Sequence, residues 1–234
     1  MKILITTLLL VHCFLASVAQ PDSVEMRLLW KPGQEIELNL KFAERIVVEA
    51  WTKKEILLKG EVMINGGELN RAHVMDSVIN NESITINTDL DEDALPGNHC
   101  CDCFRKGGNF TYSKKGKKRT SICTEIYYTV YLPAGADMKL ETISGSIKIS
   151  NMKGAIDAES VSGEVDVIIP NGQKVDVELK TVTGRASTTP EMPVQLVQGL
   201  KPMLSRKLEG QLNGGGKKVR LESVTGDVSL RSIR

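Results

Sequence analysis

The sequence predicts an all-β protein whose C-terminal half is a parallel β-solenoid, a β-helix-like stack of strand repeats, preceded by irregular β-strands. Three observations support this fold class. Apolar and polar residues alternate with a period of two through much of the chain, as in strands with one buried face. Helical periodicity is weak throughout. A glycine-centred unit recurs four times after residue 133.

Each recurring unit begins with a charged residue, continues with Ser/Thr, Ile/Val and Ser/Thr, and then reaches a glycine. The glycines are Gly145, Gly163, Gly184 and Gly226, at spacings of 18, 21 and 42 residues. One unit of about 20 residues cannot bury its apolar face alone, whereas stacked copies can. We therefore expect the Ile and Val side chains beside the glycines to form one shared interior. A degenerate coil at residues 200–208 would fill the longest gap.

The glycine of each unit stands between two short strands. Glycine there permits a positive φ or a close approach of two backbones, and a preceding Ser or Thr can donate a hydrogen bond to nearby backbone. Because the last unit ends near the C-terminus, we expect its coil to lie at the end of the stack. The exposed backbone groups of such a coil would be capped by Arg231, Arg234 or a partner.

The N-terminal half also alternates, but it contains no repeated unit. A strong turn signal stands at Asn65, Gly66 and Gly67. Residues 91–121 run acidic, then Cys-rich, then basic, which indicates a surface excursion from the β framework. The segments that read as strands are 35–42, 45–51, 55–64 and 83–90. The predicted organisation is a leader at 1–19, an N-terminal β region at 20–132 that includes the Cys-rich excursion, and a strand-repeat region at 133–234.

The first 19 residues have the composition of a secretory signal peptide. Lys2 precedes an apolar run, and the small residues Ser17 and Ala19 stand where a signal peptidase cleaves. The run is shorter than the roughly 20 apolar residues of a membrane span, which argues against an uncleaved anchor. Cys13 leaves a lipoprotein as a further alternative, although His12 just before it is unusual there. We expect an exported protein with no transmembrane segment after cleavage, in the periplasm, on the outer surface or secreted.

Composition argues against several functional classes. Without Lys2 the chain has 29 basic and 29 acidic residues, whereas a dedicated nucleic-acid binder carries a basic surplus. Aromatic residues make up only 4% of the sequence, which is little material for sugar-binding clusters. The common nucleophile, zinc-protease and phosphate-loop motifs are missing, and only His73 and His99 remain after the leader. We therefore expect no enzyme, no catalytic residue and no cofactor.

One chemically reactive cluster lies around the excursion: His99, Cys100, Cys101 and Cys103, with Cys123 20 residues after the last of them. Thiolate and imidazole ligands suit Zn²⁺ or Cu(I), so these residues are weak candidates for a metal site. Their spacing matches zinc patterns poorly. The exported chain has an even number of cysteines and an oxidising destination, which favours disulfide bonds. Free or redox-active thiols are a third alternative, and the connectivity stays open.

The recurring units resemble the bacterial putative adhesin family of β-strand-repeat proteins, known as domain of unknown function 4097. Residues 132–145 are similar to that family's entry into its repeats, residues 212–230 to its last repeat, and residues 45–59 to its opening strands. The resemblance implies an envelope location, a β-solenoid-like fold and no catalytic residues. The Cys-rich excursion departs from the family's pattern, so the resemblance implies nothing about its role.

These observations together predict an exported, non-enzymatic β-repeat protein of the cell envelope, an adhesin or binding scaffold. Its partner would be an envelope protein or a glycan, and not a nucleic acid; no pattern indicates the oligomeric state. One alternative is a metal- or redox-responsive envelope sensor that uses the cluster from His99 to Cys123. A further alternative is a polysaccharide-active enzyme built on a β-helix.

Overall fold

A computed structural model describes residues 20–95, 108–112, 120–189, 195–196 and 207–232. These residues form β-strands joined by turns and three short 3₁₀ segments, which confirms the all-β prediction. The 3₁₀ segments are Asn65–Gly67, Asn70–Ala72 and Glu92–Ala94. The strands are β1 (Asp22–Leu29), β2 (Glu35–Leu40), β3 (Arg45–Trp51), β4 (Glu55–Ile64), β5 (His73–Ile79), β6 (Ser83–Leu90), β7 (Gly108–Tyr112), β8 (Thr120–Pro133), β9 (Met138–Ser144), β10 (Ser146–Ser150), β11 (Ile156–Ser162), β12 (Val165–Ile169), β13 (Val175–Thr181), β14 (Ala186–Thr188), β15 (Gln195–Leu196), β16 (Lys207–Leu212), β17 (Lys217–Ser223) and β18 (Val228–Ser232).

Two mostly parallel sheets face each other across one core. Within the described residues, sheet A has the order β1-β4-β8-β3-β10-β12-β18-β14, with β7 beside the start of β8. Sheet B has the order β15-β16-β13-β17-β11-β9-β2-β6-β5. Each repeat unit gives one strand to sheet B and the next to sheet A, so it forms one coil of a β-solenoid-like stack. The predicted parallel strand-repeat architecture is therefore confirmed.

The stack extends further towards the N-terminus than the sequence pattern indicates. β2 and β3 form a coil of the same kind, because β2 pairs in parallel with β9 and β3 pairs in parallel with β10. The register places Leu38 beside Leu140 and Ile46 beside Ile147. This coil lacks the glycine-centred unit, so a search for that unit could not find it.

The spatial order of the coils differs from their order in the chain. The last coil, β17 with β18, lies between the coil of β11 and β12 and the coil of β13 and β14. The prediction of an exposed terminal coil is therefore wrong, since β18 has β12 on one side and β14 on the other. The prediction of a degenerate coil at residues 200–208 is wrong at residues 207 and 208, the part of it that is described. These residues begin β16, which runs antiparallel to β13.

A glycine-rich turn makes this exchange of order possible. β16 and β17 flank β13 on opposite sides, and residues 213–216 join them by crossing over the start of β13. Gly214 and Gly215 have positive φ angles of 88° and 79°. A Cβ on Gly216 would lie 2.4 Å from the carbonyl oxygen of Lys174. Three consecutive glycines are needed because the crossing chain turns sharply and nearly touches the backbone beneath it.

The side chain two positions after each glycine points into the core, as predicted. Ile147, Val165, Ala186 and Val228 are each at most 3% exposed. The Ile or Val two positions before each glycine points outward instead, so the expected interior role of those residues is wrong. The reason is the period of two: the Ser or Thr three positions before the glycine takes the buried place, and its neighbour faces solvent. The outward residues are Ile143, Val161, Val182 and Val224.

The recurring glycines lie where successive coils approach most closely. A Cβ on Gly163 would be 1.9 Å from the carbonyl oxygen of Gly145, and one on Gly226 would be 2.1 Å from that of Gly163. A Cβ on Gly184 would be 2.0 Å from the carbonyl oxygen of Gly226. The predicted close approach is therefore confirmed at all three contacts, and they run in stack order rather than in chain order.

Buried hydroxyls complete these contacts. The Ser or Thr three positions before a glycine donates a hydrogen bond to the glycine carbonyl of the adjacent coil. The distances are 3.2 Å from Ser160 to Gly145, 2.8 Å from Ser223 to Gly163 and 2.8 Å from Thr181 to Gly226. The predicted hydroxyl contact with backbone is thus present, and it links two coils. Two of these hydroxyls also bond within their own turn: Thr181 accepts from the Gly184 amide at 3.0 Å, and Thr142 donates to the Ser144 carbonyl at 2.8 Å.

The N-terminal end of the stack closes with antiparallel strands. In sheet A, β8 pairs with β4 and β4 with β1, and in sheet B β6 pairs with β5. Nε2 of His73 on β5 lies 2.6 Å from the hydroxyl oxygen of Tyr128 on β8. The side chain of Tyr128 is 1% exposed. Burial lowers the pKa of His73 and raises the pKa of Tyr128 to about 12. Both groups are therefore neutral at pH 7, and the tyrosine hydroxyl can donate to the imidazole.

We expect Gly163→Ala to destabilise the protein by about 1–3 kcal/mol, the usual cost of forcing extra atoms into a packed site. The added methyl group would collide with the carbonyl of Gly145. Gly135→Ala is the matched control, because its Cβ would meet no atom within 4 Å. Urea unfolding of both variants measures the difference. Equal stabilities for the two variants would show that close coil contact is not what requires glycine here.

We expect the free energy of unfolding to fall as the pH drops below about 6.5, the ordinary pKa of histidine. The folded chain protonates His73 only at a lower pH than the unfolded chain does, so acid favours unfolding by up to about 1.4 kcal/mol per pH unit. His73→Gln keeps a hydrogen-bonding partner for Tyr128 without a titration. Urea unfolding between pH 5 and 7 should give a flatter dependence for this variant, and parallel curves would contradict the assignment to His73.

Candidate functional site

The outward side chains of sheet B form the surface that we call the outer B face. It is built from β5, β6, β2, β9, β11, β17 and β13, in that spatial order. Alternate residues of each strand point outward, and the strands of neighbouring coils pair in register. The outward residues therefore form straight rows that run along the stack, across the strands.

The first row alternates in charge from strand to strand. Lys139 pairs in register with Asp157, Asp157 with Arg220, and Arg220 with Glu178. Glu37 of β2 stands beside Lys139 at the other end. Opposite charges are thus neighbours at every step, an arrangement that stabilises cross-strand pairs.

The second row is amide-rich at one end and acidic in the middle. Asn39 Nδ2 donates to Asn87 Oδ1 at 2.9 Å, and Asn87 Nδ2 donates to Asp76 Oδ1 at 2.8 Å. Next come three glutamates on adjacent strands. They are Glu141, Glu159 and Glu222, and we call them the glutamate row.

Cations of neighbouring positions hold the glutamate row in place. Arg220 forms ion pairs with Asp157 and Glu159, and its Nη2 lies 2.6 Å from Glu222 Oε2. Burial lowers the pKa of Arg220, but the hydrogen bond that it donates to Glu159 and the charge of Asp157 raise this pKa above its ordinary value. Lys180 Nζ lies 2.6 Å from Glu222 Oε1. Partly exposed pairs contribute at most about 1 kcal/mol each, so their main effect is to order the side chains.

The third row is apolar and lies at the corner where the chain leaves sheet B. Its members are Ile143, Val161, Val224 and Val182, which we call the corner ridge; they are 43%, 50%, 40% and 48% exposed. Hydrogen bonds between coils hold the backbone beneath the ridge: the Val224 amide donates to the carbonyl oxygen of Ser160 and the Val182 amide to that of Ser223, each at 3.2 Å. Four exposed β-branched side chains are therefore fixed in a line.

A groove of ≈ 620 Å³ lies on the outer B face along the glutamate row and the corner ridge. Its charged lining residues are five carboxylates and one cation, Lys41, whose Nζ is 2.7 Å from Asp89 Oδ2. The cations that pair with the glutamate row come from neighbouring positions and are not part of the lining. The groove is therefore acidic on one side and aliphatic on the other. The carboxylates are Asp76, Asp89, Glu141, Glu159 and Glu222.

The outer face of sheet A gathers aromatic residues, which the composition did not suggest. Trp51 and Tyr131 stack with their ring centroids 5.3 Å apart. Lys53 lies 4.9 Å from the centroid of Trp51, and Arg45 lies 5.4 Å from that of Tyr127. Each ring thus has one face covered by a neighbour.

The predicted cysteine cluster falls mostly outside the described residues. His99, Cys100, Cys101 and Cys103 lie there, and Cys123 lies on β8, where its backbone amide donates to Asn65 Oδ1 at 2.8 Å. Within the described ranges, no group of three or more His, Cys, Asp and Glu side chains is placed to hold a metal ion. Metal binding and disulfide formation by this cluster stay predictions.

Membrane insertion by a helix finds no support in the part of the chain that is described: none of its helices is long and apolar enough to span a bilayer.

Sequence reasoning found part of the groove without recognising it. Three of the four repeat units begin with a glutamate, and these three residues, Glu141, Glu159 and Glu222, are the glutamate row. The unit that opens with Lys180 follows Glu222 in the stack. The sequence could not reveal that these residues are neighbours, because their proximity depends on the coil order.

Comparisons with known proteins agree with this architecture. The sequence model of the Toastrack DUF4097 family matches residues 58–231. A comparison with curated proteins finds no significant match. Among solved structures, a putative cell adhesion protein from Clostridium sporogenes is similar in fold at 10% identity and a TM-score of 0.53, covering 92% of this chain and 100% of that one. A putative adhesin from Bacteroides fragilis matches at 9% identity, with coverage of 92% and 99%, but its TM-score of 0.25 is too low to support an argument.

The family match extends over well more than half of the chain, and it includes all four repeat units and the groove's corner ridge. The expected resemblance is therefore confirmed, and the chain belongs to the Toastrack DUF4097 family.

Proposed function

We propose that this protein is an exported, non-enzymatic binding scaffold of the cell envelope that holds an envelope protein or glycan on its outer B face. The observation that carries the proposal is the groove, which has an ordered acidic side and an ordered apolar side on a rigid stack. A preorganised surface loses little conformational entropy on binding. The name of the Clostridium protein, a putative cell adhesion protein, agrees with such a role.

The chemistry of the groove suits binding better than catalysis. Its glutamates are already engaged by neighbouring cations. The hydroxyl of Thr142 donates to the carbonyl of Leu40, and the hydroxyl of Ser160 donates to that of Gly145. A nucleophile needs a nearby base that can take its proton, and these two hydroxyls serve the backbone instead.

Export is the second part of the proposal. The leader at residues 1–19 supports it, and so does the adhesion-related name of the structural neighbour. The exported chain would reside in the periplasm, on the outer surface or outside the cell.

We further propose that disulfide bonds, rather than a metal ion, occupy the cysteines of the excursion. The even number of cysteines after the leader and the oxidising destination that the leader predicts support this. Its partner would be Cys100, Cys101 or Cys103, and the remaining two cysteines would pair with each other. Such a bond would tie the excursion to β8 and add on the order of 3 kcal/mol by restricting the unfolded chain. A metal or redox sensor would instead require free thiols.

Export and disulfide formation can be tested together by intact mass. We expect the full chain, produced in a bacterial host with an oxidising periplasm, to be recovered without residues 1–19. The recovered protein should be four hydrogen atoms lighter than its fully reduced form. Cys123→Ser should lose one of the two bonds and keep the cleavage. A retained leader would contradict export, and four titratable thiols or bound metal would contradict the disulfides.

Binding can be tested by sedimentation of the purified protein with envelope membranes and with isolated cell-wall glycan. We expect retention by one of these fractions. The double variant Asp76→Arg/Asp89→Arg reverses two exposed charges in the groove and should reduce retention at least about five-fold, because each removes a charge contact worth about 1 kcal/mol. Lys148→Glu, on the exposed outer side of β10 in sheet A, is the control and should bind normally. Failure to bind either fraction, or equal binding by all three proteins, would overturn the proposal.

A further inference from the structure

We infer that the groove of the outer B face accepts a basic amphipathic α-helix of a partner protein, an inference that rests on the binding function proposed above. The helix would lie along the stack, across the strands. Its aliphatic side would meet the corner ridge, and its lysines or arginines would meet the glutamate row.

The corner ridge supplies the apolar half of the argument. The structural position itself does not demand aliphatic residues, because these side chains lie outside the core and are 40–50% exposed. Three of the four, Ile143, Val161 and Val224, line the groove. Aliphatic residues in a continuous exposed line on a rigid backbone mark an interaction site rather than scattered surface.

Charge supplies the second half. The lining has five carboxylates and one cation. The cations that pair with its glutamates approach from positions outside the lining, such as Lys139 and Arg220 in the first row. Cations already pair with four of the five carboxylates, so the excess of negative charge in the groove is small. It still favours a cationic partner over an anionic lipid surface, a nucleic acid or an acidic peptide.

Spacing distinguishes a helix from an extended peptide. Neighbouring strands of a sheet are about 4.8 Å apart, so the four residues of the ridge span about 14 Å. Three turns of an α-helix rise about 16 Å. Three same-side steps of an extended chain cover about 20 Å. A helix thus keeps its side chains close to the ridge residues over its whole length, and an extended chain does not.

The probe is a fluorescently labelled synthetic helix of 18 residues, with leucines along one face and lysines on both flanks. We expect it to bind the purified full chain in a fluorescence anisotropy titration, and to bind more weakly at high ionic strength. Val161→Thr/Val224→Thr, which exchanges one methyl for a hydroxyl at each position, should weaken binding about ten-fold. Val78→Thr, at an exposed position of β5 outside the lining, should leave binding unchanged.

Two altered peptides test the chemistry and the shape of the ligand. A twin with glutamate in place of every lysine should not bind, and a twin with two central prolines, which cannot form the helix, should lose most of its affinity. The inference is overturned if either twin binds as well as the parent peptide, if the ridge variant binds like the wild type, or if the parent peptide does not bind.

Failure of this inference can be separated from failure of the proposed function. Retention by envelope fractions without affinity for the helical peptide would leave the binding scaffold standing and exclude the helix as its ligand. Failure to retain any envelope fraction would remove the binding function itself.

Discussion

The close approach of successive coils at the recurring glycines is the constraint on which the rest of this structure depends. A backbone carbonyl of one coil occupies the place that a side chain of the next coil would need. The carbonyl of Gly145, for example, lies where a Cβ of residue 163 would stand. The buried hydroxyl of Ser160 then fixes that carbonyl by a hydrogen bond. Together these contacts allow one register between coils. A shift by one residue would place a Cβ against the carbonyl and turn the apolar face outward.

Register in turn creates the outer surface. Because every coil is aligned with its neighbours, side chains that are about 20 residues apart in a repeat become neighbours about 4.8 Å apart in a row. Glu141 and Glu159 are adjacent for this reason, and so are Ile143 and Val161. The proposed binding surface is thus a consequence of the same contacts that stack the coils, and a change at a glycine would disturb both.

The charges of the first row favour entry of the last coil into the middle of the stack. In chain order, with the register kept, β11 would lie beside β13 and Asp157 would face Glu178. Insertion of β17 places Arg220 between these two carboxylates. In sheet A, Arg231 of β18 pairs with Asp166 of β12. Such partly exposed pairs add little stability individually, but four similar units could stack in several orders, and the pairs favour one of them.

The sequence predicts the class of fold well because that class follows from local information. The period of two and the glycine unit are visible in any single repeat. The coil order is not visible, because it depends on pairs such as Arg220 with Asp157 that lie far apart in the chain. The outward position of Val161 was missed for a related reason. An apolar residue in an alternating strand is normally buried, but Val161 lies on the same side of β11 as the outward Asp157 and Glu159.

Coil order also connects folding to the proposed function. The central part of the groove combines Glu159 and Val161 of β11 with Glu222 and Val224 of β17. These pairs meet only after the C-terminal coil has entered between β11 and β13, with the glycine-rich turn crossing above β13. Up to that point the glutamate row lacks its last member, Glu222, and the corner ridge lacks Val224, which lies between Val161 and Val182. The coil of β17 and β18 therefore completes both the core and the proposed binding surface, so a chain in which this coil has not docked does not present the groove.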